Sequence, residues 1–525
     1  MIRVTDLKMP IDGTEEHLKK KAAKALGIYV ESILKMQIFR RSLDARKKDQ
    51  ILCVYVVDVE IANEKKVLSK ATGKNISITP DLSYAFPKGR AECSKQPVVV
   101  GFGPAGMFSA LLLAEMGLKP IVLERGGDVE SRKKAISLFW EEGKLDTENN
   151  VQFGEGGAGT FSDGKLTTRI KDPRCRKVLE ELVAAGAPQE ILYDAKPHIG
   201  TDLLQGVVKG IREKICSLGG EIRFFAKAEN LLVHEGEIQG IELADGETIQ
   251  TNDVVLAIGH SARDTFEMLY KKGVSMEQKP FAVGVRIEHP QKMIDHAQYG
   301  DTADKLPPAD YRLTYTTKKG RGVYTFCMCP GGYVVAAASE EGRLAVNGMS
   351  EYARDGENGN SALLVQVFPK DFGSEHPLGG MYFQRSLEEK AFALGGDNYT
   401  APIQSLGAFL KASKDGAMVC PTYRPKTKEA NLEEIFPPFI TEAMREAIPE
   451  MGKKLKGFDR EDAVLTAVES RSSSPIRILR NEDGVSPWAV GLYPAGEGAG
   501  YAGGIVSAAV DGILAAETIF RKNLK

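Results

Sequence analysis

The chain is 525 residues long, 42% hydrophobic and 27% charged, with a formal net charge of −2. This is the balance of a globular protein with room for roughly three domains, and it excludes a global field that would draw nucleic acid or an anionic membrane. The seven cysteines, an odd number and mostly scattered without any C-x-x-C, exclude a disulfide framework and offer no zinc or iron–sulfur pattern, so no metal site is expected.

"MIRVTDLKMPIDG" lacks a basic region followed by an apolar core and a cleavage site, so no secretory leader is expected and the cytoplasm is the default compartment. Residues 1–80 read as a small α+β unit of ferredoxin-like character. "IRVTDLKM" is a strand, and "TEEHLKKKAAKALG" is a helix with Thr14 as its N-cap. "LKMQIFRRSLDARKKDQILCVYVVDVEI" gives two strands around a turn at Ala45–Gln50. The unit carries 16 lysines and arginines against 10 acids, with Arg40, Arg41, Arg46, Lys47 and Lys48 gathered at the hairpin. These charges fit a solvated hairpin. An RNA-docking module is the alternative, although no aromatic stacking set accompanies them.

Pro97–Met116 is apolar for nearly the length of a membrane span, but three glycines and Pro104 crowd its middle. A buried strand, a tight turn and a buried helix explain it without a membrane. The turn, "VVVGFGPAG", is a dinucleotide fingerprint. Gly101 makes the turn, Gly103 lets the backbone approach a pyrophosphate, and Gly106 allows close helix packing, with Pro104 and Ala105 opening the helix. Glu124 ends the next strand, "KPIVLE", 23 residues after Gly101, where an acid hydrogen-bonds ribose, and Arg125 after it reads as a further cofactor contact. Helices follow near Pro173–Ala185 and Thr201–Leu218, then the strand "GEIRFFA" and a meander, "ENLLVHEG", "EIQGIELADG" and "ETIQTND". The strand "DVVLAIG" brings Ala257 and Gly259 toward the cofactor. Residues 97–265 thus form the first part of a nucleotide-binding domain. Glu124 disfavours a 2′-phosphate, and suits the adenosine ribose of NAD or of FAD.

Residues 266–486 change character. "FAVGVRIEH", "RGVYTFCMCP", "GGYVVAAAS", "RLAVNG" and "ALLVQVFP" suggest an antiparallel sheet, with helices near Phe383–Leu394 and Phe439–Ile448. Cys327 and Cys329, at i and i+2 on a strand, point to one face. They read either as a reactive thiol pair or as two small side chains packed in a sheet. In "ESRSSSPIRI", Arg471 reads as a contact for an anionic substrate or as the partner of Glu469. His260 reads as an acid/base group or as a loop histidine. At 487–525 the α/β pattern returns in "PWAVGLYPAGEGAGYAGGIVSAAVDGILAAETIF".

The meander and this C-terminal glycine element resemble the glutathione-reductase-type FAD fold. The resemblance implies that Gly496 and Glu497 hold the ribityl chain, with Glu in place of the commoner Asp. It implies that Gly503, Gly504 and Ile505 open a helix toward the flavin N1/O2 edge. It also implies that "QFGEGGAGTFSDGKLTTR" runs along the pyrophosphate and ring, with Gly159, Ser162, Asp163 and Lys165 as contacts. With "GEGGAGTFSDGKL", "TFCMCPGG", "VNGMS", "AFALGGDNYTAPIQ" and "ESRSSSPIRI", the chain resembles a group of bacterial FAD-dependent dehydrogenases whose substrate is not established. The implied fold is α/β: a Rossmann-like FAD-binding domain interrupted by a β-rich α+β substrate domain, with a small ferredoxin-like domain in front. The implied chemistry is hydride transfer between a small organic substrate and flavin N5. The residues themselves, and not the resemblance, offer Cys327, Cys329 and Arg471 as catalytic candidates. No second good fingerprint lies between Gly259 and Ser486, so NAD(P)H as a transient donor would bind without its own Rossmann unit.

Overall fold

The computed structural model describes residues 1–70, 73–412 and 418–525. Its central sheet is five-stranded and parallel, in the order Glu221–Arg223, Ile121–Leu123, Val98–Val100, Val254–Leu256, Leu492–Pro494. The last strand pairs with its neighbour after an excursion of more than two hundred residues, so the nucleotide fold closes around the segment between them. Alternate side chains of these strands enter two different cores. Val99, Val122, Val255 and Tyr493 meet the helices Pro104–Glu115 and Ile505–Lys522. Val98, Val100, Ile121, Leu123 and Val254 meet Leu231 and Ile241 of the antiparallel meander. Cover on both faces is the reason that these strands are continuously apolar. Residues Ala105–Ala114 of the first helix are all buried, which accounts for the span-like run in the sequence. Among the described residues, no helix is long and apolar enough to cross a membrane.

The second sheet has seven strands, in the order Thr314–Thr316, Gly322–Cys329, Asn358–Val367, Phe281–Pro290, Val464–Glu469, Ala401–Ser405, Thr427–Glu429. It is antiparallel except for its last pair. Pro438–Gly452 packs Ile440, Met444, Ile448 and Met451 into its core. "GGYVVAAAS" and "RLAVNG" do not join this sheet: Tyr333–Ala336 and Val346–Met349 pair with each other. A further ribbon, Met276–Gln278 against Ile476–Ile478, ties the entry of this segment to its exit.

In front stands a complete ferredoxin-like unit, β-α-β-β-α-β, with strand order Ile33–Asp44, Leu52–Ile61, Ile2–Pro10, Ile76–Ile78. Thr14 caps the first helix by accepting from His17 N at 3.4 Å, and Gly27, at φ +66°, ends it. Its short second helix, Glu64–Lys70, and its last strand escape sequence reading because the helix buries no residue and the strand is three residues long. The helix Val129–Glu142 escapes for another reason. Its buried face includes Arg132, which interrupts the apolar stripe.

The basic hairpin lies against the rest of the chain. Arg41 makes a bidentate pair with Asp194 at 2.7 and 2.9 Å, while its backbone exchanges bonds with Tyr193 and Ala195. Lys48 donates to the Ala297 carbonyl at 2.6 Å, and Arg46 pairs with Asp44. Three of the five basic side chains are thus bonded within the molecule.

Candidate functional site

The fingerprint turn is as tight as its glycines require. Gly101 lies at φ +95°, and a Cβ there would stand 2.4 Å from the Ala257 carbonyl oxygen. A Cβ on Gly106 would stand 1.9 Å from the Gly101 oxygen, so this helix seats on its own turn only without a side chain. Gly103 is different. A Cβ there would meet nothing nearer than the Gly157 Cα at 3.8 Å, which leaves a slot between two glycines. Pro104 follows at the first helical position, and no side chain caps this helix start.

The C-terminal element comes to the same place. Gly496, at φ +78°, packs on Ala105, where a Cβ would approach the Ala105 Cβ to 2.7 Å. The helix Ile505–Lys522 begins at Gly504 without a side-chain cap, and the space around Gly503 is open. Gly159 lies between the two helix starts, its Cβ position 3.5 Å from the Ile505 side chain and 3.7 Å from that of Pro104. Two positive helix ends with free N–H groups therefore share one crevice walled by glycine. Such a donor set fits a dinucleotide, whose pyrophosphate and electron-rich ring edge both accept hydrogen bonds.

Glu124 ends its strand as expected, 4% exposed, but its carboxylate is already engaged. It accepts from Phe102 N at 2.9 Å, Gly126 N at 2.9 Å and Gly154 N at 2.8 Å. Two of these fall on Oε1, so one acceptor direction is left on Oε2. The acid braces the fingerprint turn as well as facing its nucleotide end.

Several expected contacts are placed otherwise. The Arg125 guanidinium is taken up by Glu148 and Asp264, in four bonds of 2.7–3.0 Å, and it covers the Phe153 ring. It braces the crevice wall and leaves little for a phosphate. The Ser162 hydroxyl donates to Gly159 O and accepts from Gly164 N, closing its own turn. The Asp163 carboxylate, fully buried, accepts from Arg354 at 2.6 and 3.1 Å and from Ser350 Oγ, and so ties the loop to the β-rich region. Arg471 does not pair with Glu469. Its guanidinium bonds Glu388 at 3.0 and 3.1 Å, Ser339 at 2.5 Å and Ser261 at 3.2 Å. With nearly all its donors used inside the protein, Arg471 is a wall residue and not a hand held out to substrate. Glu469 pairs with the buried Arg286 at 2.9 Å.

Gly259 lies at φ +68° beside Gly498, and His260 follows it. The His260 Nδ1 is 3.5 Å from Glu497 Oε1, and its Nε2 is buried without a hydrogen-bond partner. Cys327 and Cys329 are both free thiols, and Cys329 Sγ donates to the Cys327 carbonyl at 3.3 Å. The strand bulges there: its register with Asn358–Val367 shifts between Phe326 and Cys329. Lys165 reaches the same centre from the crevice loop.

Three residues that sequence reasoning missed hold this arrangement. Asp511 accepts from Gly496 N at 2.7 Å and from Arg480 at 2.6 and 2.9 Å, fixing the turn before Glu497. Arg132, fully buried, donates to the carbonyls of Asn150, Val151 and Glu155 and so shapes the loop behind the fingerprint. Arg286 donates to Glu469, Asn347, Asn360 and the Cys327 carbonyl. Asp511 and Arg286 had a signal: Asp511 is a lone charge in an apolar helix and Arg286 interrupts an apolar strand, and a buried charge requires a partner.

Comparison with known proteins agrees on the cofactor class. Residues 280–472 match the family described as FAD-dependent protein, C-terminal domain-like, and residues 1–60 match a domain of unknown function. An uncharacterised protein of Clostridium beijerinckii is 52% identical over 99% of both chains. Among solved structures, glycine oxidase from Bacillus cereus is 10% identical over 82% of this chain and 96% of its own, with a TM-score of 0.35. L-proline dehydrogenase from P. horikoshii is 14% identical over 82% and 94%, also at 0.35. Scores this low carry no inference about the reaction.

Proposed function

The chain belongs to one family with the 52%-identical clostridial protein, and from its match over residues 280–472 to the family described as FAD-dependent protein, C-terminal domain-like, we propose that it is a FAD-dependent oxidoreductase acting on a small organic substrate in the cytoplasm. The observation that carries this reading is the meeting of two uncapped helix starts, after Gly103 and Gly504, at one glycine-walled crevice. Gly101, Gly103, Pro104, Ala105 and Gly106 would seat the pyrophosphate. Glu124 would reach the adenosine ribose through its remaining acceptor direction, and Ala257 and Gly259 would line the floor. Gly496 and Glu497 would hold the ribityl chain, with Gly503, Gly504 and Ile505 presenting their helix end to the ring. Bound FAD would supply hydride transfer with the substrate. The chain's own part is to orient that exchange and to exclude water from it, with His260 set 3.5 Å from Glu497 at the crevice. NADH or NADPH would act as a transient donor without a Rossmann unit of its own.

The test is anaerobic. Purified protein is titrated with NADH, NADPH and a panel of metabolites while the flavin absorbance band is followed. We expect a yellow protein whose band bleaches with at least one donor. A protein that carries no flavin and takes up none on incubation with FAD would sink the reading.

A further inference from the structure

We propose that Cys327 and Cys329 form a redox-active dithiol that reduces low-molecular-weight organic disulfides, with Cys327 attacking, Cys329 resolving and Lys165 supplying the charge that the attacking sulfur faces. No step of this chemistry needs the flavin, so it stands apart from the reading above.

Geometry comes first. In a regular strand, residues i and i+2 are about 6.7 Å apart, too far for their thiols to meet easily. Here the bulge breaks the pleat, and Cys327 takes φ +46°, a left-handed conformation that strains a residue with a Cβ. Cys329 Sγ then donates to the Cys327 carbonyl oxygen at 3.3 Å, which folds the second thiol back onto the first residue. Cys327 is half-buried beside the exposed Phe326, whereas Cys329 is fully buried behind it. A half-buried first cysteine followed by a fully buried second one is the order of an attacking and a resolving residue.

Lys165 provides the second observation. A lysine ordinarily lies with its stem on the protein and its ammonium in water. Lys165 is inverted: its side chain is 26% exposed, yet Nζ is buried with no hydrogen-bond partner among the described residues. The nearest carboxylate oxygen, Asp163 Oδ2, is 3.7 Å away, and that carboxylate is already bonded to Arg354 and Ser350. The ammonium therefore remains available to the sulfurs, whose charge it feels.

The surrounding charges agree with this assignment. Lys165, Arg286 and Arg354 contribute positive charge around the pair, Asp163 and Glu469 are the carboxylates, and Tyr311 lies near Cys329. The neighbouring Cys329 thiol holds the Cys327 sulfur below the ordinary thiol range; burial opposes this, and Lys165 and Arg286 reinforce it. Cys329 is correspondingly pushed well above that range. Cys53, Cys93, Cys175 and Cys216 in the same chain are all pushed up by burial, as inert thiols are.

The exchange balances in two steps. The Cys327 thiolate attacks one sulfur of the disulfide, forming a mixed disulfide and releasing the first thiolate. Cys329 then loses its proton to solvent, and its sulfur attacks Cys327. The intramolecular disulfide forms, and the second thiolate leaves and is protonated. Two electrons pass from the protein dithiol to the substrate disulfide.

Glutathione disulfide is the probe. The full chain is incubated with it, quenched with N-ethylmaleimide and mapped by peptide mass spectrometry. We expect a Cys327–Cys329 disulfide in the wild type and a glutathione adduct on Cys327 in Cys329→Ser. The pH profile of iodoacetamide labelling of Cys327 then tests Lys165. In Lys165→Met the profile should move to higher pH, with labelling on its acid limb, near pH 4, slowed about tenfold for each unit of movement, and Lys165→Arg should restore it. Absence of the intramolecular disulfide in the wild type overturns the dithiol. A Lys165→Met profile that overlays the wild type's overturns the role of the lysine.

Discussion

The glycine crevice and the thiol centre are both assembled from segments far apart in the chain, but they are written into it differently. The crevice is made of backbone: what matters is where a Cβ is absent, and each absence is visible as a glycine at fixed spacing. The thiol centre is made of side-chain charge, with Lys165 from the crevice loop, Arg286 and Glu469 from two strands of the β-rich sheet, and the sulfurs from a third. A backbone site tolerates dilution of its signal over distance because glycine spacing survives. A charge site has no spacing to survive, and its members meet only through tertiary structure.

The sharpest way to break this contrast is to remove the charge at the heart of the second region. Arg286→Met leaves Glu469 buried opposite a thioether and strips the Cys327 carbonyl, Asn347 and Asn360 of their donor. Breaking a buried pair from one side typically costs about 3–5 kcal/mol, so the variant should unfold at markedly lower urea concentration. Adding Glu469→Gln should recover part of the loss. A single variant as stable as wild type would mean that the sheet, and not this pair, holds the centre.

What was legible follows the same division. The parallel strands, the fingerprint helix, the meander and the antiparallel segment were readable because apolar period and glycine position are local properties. Arg125 and Arg471 were read as ligand contacts because an arginine beside a motif looks free in one dimension. Their actual partners, Asp264 and Glu388, lie 139 and 83 residues away. The cysteine pair was legible as a spacing, but not the bulge and the left-handed Cys327 that break its pleat. Lys165 was legible only as a polar residue on a glycine loop. Its inversion depends on Asp163 being taken by Arg354 and Ser350, which no local pattern encodes.

The next comparison lies within the crevice itself. Gly106→Ala places a methyl group against the Gly101 carbonyl and should cost about 1–3 kcal/mol, as overpacking does, with flavin content falling alongside. Gly103→Ala meets only the Gly157 Cα at ordinary contact distance, so the folded chain has room for it. It should keep wild-type stability but lose flavin several-fold, read as flavin absorbance per chain. If Gly103→Ala retains its flavin, the slot is a packing feature and the pyrophosphate sits elsewhere.

The smallest effect separates the crevice wall from the crevice. Burial by itself would raise the Asp264 carboxyl, but its bonds to Arg125 and Lys227 more than overcome this and hold it well below the usual carboxylate range. A carboxylate depressed in the folded state contributes stability above its unfolded value, near pH 4, and that contribution is lost as the pH falls toward the folded value. The Asp264 side chain is 44% exposed, so solvent screens the pair and Asp264→Asn should cost only about 1 kcal/mol or less at pH 7. The stability gap between variant and wild type should close progressively below pH 4. Because Arg125 keeps Glu148 and its place over the Phe153 ring, flavin content should stay unchanged. A gap that persists into acid would show that Asp264 acts through packing. A loss of flavin at pH 7 would show that the wall is part of the binding surface.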